Sequence, residues 1–316
     1  MWEKVLGHGT RQLTDTSEAE GRRALMEIGL FSVWTADPDM IGQLARTAED
    51  MEFASLWAPE HVVLFAQERY TSRYPYNDSG KISFADADLL DPFAVLTFAA
   101  AHTSRITLAT GICLVPLRNP LMTAKLVASL DRLSKGRFLF GVGIGWLTEE
   151  FQALGIPAER RAQRACEYLE AMRVLWTQDT PSFQGEFCAF PPVKSFPKPV
   201  QKPHPPIIFG GNTAPALRRA AEVGDGWFGW NLSPEDVAPR VQRLCQHAAE
   251  SGRNVDEFFI GVTPPVPMQI TREGLQQYRD AGVQHLVIRL PTVAPERLET
   301  VLGELRERLV VPAQLL

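Results

Sequence analysis

Four short stretches of this sequence place side chains and glycines where chemistry could be done. In Ala58-Pro59-Glu60-His61 a carboxylate precedes an imidazole, and a histidine can hold or deliver a proton near neutral pH. His61 is the candidate proton donor and Glu60 its candidate partner; the bland alternative is a bystander histidine. The other five histidines fall on the amino-terminal stretch, on helices or at strand starts. Gly141, Gly143 and Gly145 form G-x-G-x-G, without the spacing of a dinucleotide fingerprint. Such glycines either admit a flat ring system, since no Cβ stands in the way, or serve barrel curvature alone.

The run from Pro205 to Ala220 reads PPIIFGGNTAPALRRA. A strand ends in Gly210-Gly211, and Asn212 or Thr213 then caps a helix whose free N–H groups and positive dipole end suit an anion such as phosphate. The alternative is a plain turn and cap. Trp34, Trp146 and Trp230, with Phe31, fall at or just past strand ends, where they could wall an apolar pocket around an aromatic ligand or simply pack. Trp57 and Trp176 read as core.

These residues need a scaffold that brings distant strand ends together. From Met26 onward, β-branched and aromatic runs alternate with helical patterns bounded by Pro, Gly and Asp, the signature of a parallel sheet with crossover helices. The strands are predicted at 27–31, 55–57, 106–114, 138–143, 206–209, 226–230, 258–263 and 285–290. The helices are predicted at 38–51, 92–102, 120–133, 158–176, 213–223, 234–251, 271–281 and 295–309, several opening with Pro in the first turn. Eight such pairs predict an α/β fold of the closed (β/α)8 TIM-barrel type, with active groups at the carboxyl ends of the strands. Two insertions interrupt the repeat: residues 59–91 after strand two, read as a lid, and residues 178–205 before strand five, read as a proline-stiffened arm crossing the barrel. Residues 1–25 are expected to be an extension outside a single barrel domain spanning 26–316.

Composition narrows the classes of function. The chain has 316 residues, 45% hydrophobic and 22% charged, with a net charge of -5 and no lysine-arginine block, so neither nucleic acid nor an anionic membrane is an expected partner. The cysteines Cys113, Cys166, Cys188 and Cys245 lie far apart without metal-ligand spacing, which predicts no metal site, no disulfide framework and a reducing cytoplasm. No apolar run is long enough to span a membrane.

Four ordered motifs, LWAPEH, ITLATGICLVPLRNP, DRLSKGRFLFGVGIGW-x3-EF and KPVQKPHPPIIFGGNTAPALRRAAEVGDGW, resemble the luciferase-like monooxygenase superfamily, in particular its coenzyme F420-dependent branch. The likeness runs in order from Met26 to about Trp230 and more loosely beyond. It implies a flavin or deazaflavin with its ring at the carboxyl end of the barrel and its phosphate at Gly210 and Gly211. It also implies a non-prolyl cis peptide at Gly111-Ile112 against the ring, ring contact by Glu60, and proton donation by His61. Trp146 stands where sugar-phosphate dehydrogenases of this kind carry a glutamate, and no lysine follows GDGWFGWNL, so sugar-phosphate oxidation is not implied.

The expected function is an F420-dependent oxidoreductase acting on a small organic substrate, with a homodimer as the expected assembly. An FMN-dependent monooxygenase served by a flavin reductase is the alternative, and a non-catalytic cofactor-binding barrel the third reading. Fold alone does not choose among them.

Overall fold

The computed structural model describes residues 26–32, 35–66, 69–82, 84–266 and 270–316. Trp34 and the expected extension 1–25 lie outside the described residues.

Eight parallel positions close into a barrel. They are β1 (Glu27–Ser32), β2 (Ser55–Ala58), β3 (Thr107–Thr110) continued by the short β4 (Cys113–Leu114), β5 (Phe138–Gly143), β8 (Ile207–Gly210), β9 (Gly226–Gly229), β10 (Phe259–Val262) and β11 (His285–Leu290). The sheet runs β3-β2-β1-β11-β10-β9-β8-β5-β4, and the further β3–β5 pairing closes it. The intervening β6 (Phe183–Gln184) and β7 (Ala189–Phe190) form a separate antiparallel pair.

The connecting helices are α1 (Pro38–Asp50), α2 (Pro92–Ala101), α3 (Pro120–Leu133), α4 (Thr148–Ala153), α5 (Arg161–Thr177), α6 (Ala214–Val223), α7 (Pro234–Glu250), α8 (Arg272–Asp280) and α9 (Leu298–Leu305). Their starts follow from the sequence. Asp37, Asp91, Asn119, Ser233 and Thr271 each accept a first-turn N–H, at 3.0, 2.9, 3.0, 3.3 and 3.2 Å, meeting donors that a helix leaves without intrahelical partners. Among the described residues no helix is long and apolar enough to cross a membrane.

Two expectations are corrected in detail. Strand three, expected as continuous over 106–114, is split into β3 and β4, and the expected cis peptide at Gly111-Ile112 is found between them. The expected helix 158–176 begins at Arg161, and a separate short helix, α4, precedes it. Inside the barrel Phe31, Trp57, Ala109, Ile208, Phe228 and Val287 form a compact cluster in which Trp57 and Phe228 stack at 4.4 Å. This plug is the floor beneath the rim. The arm at 178–205 reaches the opposite end with its last residues: Asp131 accepts from the N–H groups of Val200 and Gln201 at 2.5 and 3.0 Å, and the Gln201 amide donates to the Phe138 carbonyl at the start of β5, while residues 186–188 pack on the first turns of α5.

Candidate active site

A cavity of about 630 Å³ opens at the carboxyl end of the strands. It gathers Glu60 and His61 after β2, Gly111 and Ile112 in the bulge, Gly143, Gly145 and Trp146 after β5, Gly210, Gly211 and Asn212 after β8, and Phe31 and Trp230; Gly141 instead faces the Thr110 carbonyl of the neighbouring strand. Residues separated by some 200 positions in the chain thus share one wall.

His61 is held from behind. Its Nδ1 lies 2.9 Å from Glu150 Oε2, and Glu150, on α4, is buried. A carboxylate can only accept, so Nδ1 carries the proton and Nε2 becomes the working nitrogen; no described residue bonds Nε2. The other Glu150 oxygen accepts the Val62 N–H at 2.6 Å, which fixes the loop as well as the ring. Sequence reasoning did not single out Glu150, although it stands in the motif GIGW-x3-EF; 89 positions separate it from His61.

Glu60 is also buried, but its carboxylate is committed to the protein. One oxygen accepts the Leu114 N–H at 2.6 Å and the other receives Arg118, which in turn reaches Asp91 at the start of α2. These bonds give the carboxylate a structural role beside its place on the cavity wall. It fastens β4, just past the bulge, to the end of β2.

The glycines prove to be of two kinds. A Cβ on Gly143 would overlap the Ile112 side chain, so this glycine on the cavity wall makes room for the bulge residue. Gly211 has φ +119°, a backbone conformation that favours glycine, and it turns the chain from β8 toward α6. Asn212 does not cap α6: its side-chain amide exchanges two hydrogen bonds with the Trp230 backbone, at 2.7 and 3.0 Å. Thr213 is the cap position and makes no side-chain cap bond; Pro215 has no N–H and Ala216 donates to the Thr213 carbonyl at 2.9 Å, so the N–H groups of Thr213 and Ala214 are the ones left without an acceptor among the described residues at the cavity edge. Behind them stands Arg219, which also lines the cavity, has a buried Nε without a partner, and bonds no described residue. Burial holds its guanidinium below its ordinary pKa. An uncapped helix start over an unpaired cation fits a phosphate.

The insertion at 59–91 covers the mouth with aromatic rings. Tyr74 meets Trp146 at 5.3 Å and Tyr76 at 5.4 Å, and Tyr76 meets Trp230 at 6.3 Å. Burial raises the Tyr74 phenol and pushes Tyr76 up to about 12, so both present neutral hydroxyls. Glu149 anchors this segment by accepting from the N–H groups of Thr71 and Ser72 at 2.6 and 3.1 Å. Among the described residues no cluster of ligating side chains could hold a metal ion.

Known proteins place this architecture. An uncharacterised protein of Mycobacterium tuberculosis is 36% identical over 254 residues, covering 78% of this chain and 86% of that protein. An FMNH2-dependent dimethylsulfone monooxygenase of Pseudomonas putida is 35% identical over 158 residues, 49% of this chain and 43% of that protein. Among solved structures, an F420-dependent secondary alcohol dehydrogenase superposes with a TM-score of 0.73 at 18% identity, over 92% of this chain and 99% of that one. The monooxygenase RslO1 of Streptomyces bottropensis superposes with a TM-score of 0.70 at 22% identity, over 90% of this chain and 99% of that one. These two likenesses are of fold. The family model for luciferase-like monooxygenases matches residues 16–308, and with this barrel and this rim the chain belongs to the luciferase-like monooxygenase family.

Proposed function

We propose that the chain is a cytoplasmic F420-dependent oxidoreductase that passes a hydride between the deazaflavin and a small organic substrate. The observation that carries this reading is the His61–Glu150 pair at the cavity wall. Hydride delivery to a carbonyl, imine or activated alkene leaves negative charge that a positioned acid must quench, and His61 Nε2 is oriented for that task by a buried carboxylate. The fit of a phosphorylated cofactor rests on Arg219 and the uncapped start of α6. Gly210, Gly211 and Thr213 would flank its phosphate, and Gly111, Ile112 and Gly143 would lie along its ring.

When bound, the deazaflavin supplies the two-electron chemistry. The chain's own residues do the rest. Ile112, seated against Gly143 and Gly210, gives a fixed backstop. Phe31, Trp146 and Trp230 wall the space above it, and Tyr74 and Tyr76 exclude water from the mouth. His61 exchanges a proton at Nε2 while Glu150 keeps the ring from turning.

A second reading, an FMN-dependent monooxygenase supplied by a flavin reductase, is favoured by the dimethylsulfone monooxygenase and by a pyrimidine monooxygenase of Allorhizobium ampelinum that is 30% identical over 180 residues. Anaerobic bleaching of reduced F420 upon substrate addition supports the first reading. Oxygen consumption with reduced FMN supports the second, and thermal-shift silence toward both cofactors supports a non-catalytic barrel. Four free cysteines favour the reducing cytoplasm. A homodimer is proposed across the exposed apolar face of Met122, Leu126 and Leu133 on α3 with Phe196 and Val200 of the arm; a monomeric mass in sedimentation sinks that assembly.

A further inference from the structure

Arg289 is the next-to-last residue of β11, on the rim of the same cavity. Its Nη2 donates to Asn231 Oδ1 at 2.8 Å and to the Pro264 carbonyl at 2.9 Å, and its guanidinium lies 5.2 Å over the Trp230 ring. These contacts fix its direction. They do not balance its charge: its buried Nε has no partner, and no carboxylate among the described residues pairs with it. The two acids at the cavity wall or just behind it are already engaged, Glu60 with Arg118 and Glu150 with His61. The phenols of Tyr74 and Tyr76 are neutral at ordinary pH.

A desolvated cation with unmet donors is costly unless something supplies an anion. Arg219 presents the same condition beside β8, three strand positions away along the sheet order. One cavity therefore carries two uncompensated guanidinium groups at separate stations. Beside Arg289 the wall is aromatic, with Phe31 against Trp230 at 4.7 Å and Tyr76 against Trp230 at 6.3 Å. A single cation without a neighbouring lysine balances one negative charge better than two.

We propose that Arg289 is a specificity-determining residue that selects a substrate bearing a carboxylate on an aromatic or arylalkyl body. The proposal rests on the reading that cofactor and substrate share this cavity, with the cofactor's phosphate at Arg219. Arg289 Nη1, which no described residue bonds, would donate to the carboxylate, while Phe31, Tyr76 and Trp230 enclose the ring.

The test is isothermal titration of the full-length chain with benzoate and 3-phenylpropanoate beside their neutral amides, with and without saturating FMN. The acids should bind at least roughly tenfold more tightly than the amides, the scale of a charge-assisted hydrogen bond. Arg289→Gln should bring the acids down to the amides while FMN affinity stays within about twofold, and Arg289→Lys should fall between. Circular dichroism checks that both variants fold, and the lysine variant keeps the comparison open if the glutamine variant does not. Equal binding of acids and amides, or no acid binding, overturns the proposal. So does an Arg289→Gln chain that loses FMN but keeps the acids, since Arg289 would then serve the cofactor. An acid preference that survives in a chain binding neither FMN nor F420 upholds the anion site and overturns the cofactor reading instead.

Discussion

Replacing Arg219 by Gln separates the phosphate from the ring. In the structure the guanidinium bonds no described residue and its Nε is buried, so its removal takes no internal bond from the empty protein. Losing one charge-assisted hydrogen bond to a phosphate costs about 1.5–3 kcal/mol, or roughly 10- to 150-fold in affinity. Riboflavin, which has the ring and no phosphate, should be indifferent. Flavin fluorescence titrations of the unaltered chain should rank FMN above riboflavin by about that factor, and Arg219→Gln should erase the difference with riboflavin affinity kept within about twofold. The melting temperature of the ligand-free variant should hold or rise, because an uncompensated buried cation has gone. Equal weakening of both flavins would refute the assignment and make Arg219 a shaper of the ring site. A fall of several degrees without ligand would mean the side chain has a structural partner.

Three further outcomes follow from the same contacts. With a turnover substrate in hand, His61→Ala should lower kcat roughly 10²–10⁴-fold, Glu150→Gln roughly 10–100-fold, and the double variant no further than His61→Ala; full additivity would deny that the pair acts as a unit. Burial alone would raise the Glu149 carboxyl, but hydrogen bonds from Ser72 and Thr71 hold it at about 2 against an ordinary 4.5. Because the folded value is the lower one, the anchoring is complete above about pH 4.5 and is lost as pH falls toward 2; hydrogen exchange should find the Thr71 and Ser72 amides still protected near pH 4, and early loss would contradict this. Gly143→Ala drives a methyl into Ile112 and should cost about 1–3 kcal/mol, read as a lowered melting temperature that Ile112→Val partly restores; a neutral Gly143→Ala would show the bulge to be loose.

The barrel was legible in the sequence because buried parallel strands write themselves as short apolar runs, and the Asp, Asn, Ser or Thr and Pro at helix starts carry a local signal. The site was legible only where one residue's chemistry suffices, as at His61 or Gly211. Glu150 was not, since its role exists only through a contact 89 positions away. The arginines show the limit most clearly. Arg218 and Arg219 are adjacent in ALRRA, yet Arg218 is an exposed partner of Glu222 at 2.7 Å while Arg219 turns into the cavity unpaired. Asn212 misled for the opposite reason: a side chain suited to capping found a better acceptor and donor in the Trp230 backbone.

The covering segment after β2 is fastened chiefly by Glu149 and Glu150, adjacent carboxylates on the six-residue helix α4. Each receives main-chain N–H groups of the segment, which every residue but proline can offer. The fastening therefore reads mainly backbone, with His61 and the Thr71 and Ser72 hydroxyls as its side-chain partners. A cover of different sequence, and so of different selectivity, could be swapped onto this barrel if it presents N–H groups at the same two places. In evolutionary terms the two glutamates act as a socket, separating what the enzyme accepts from how it folds.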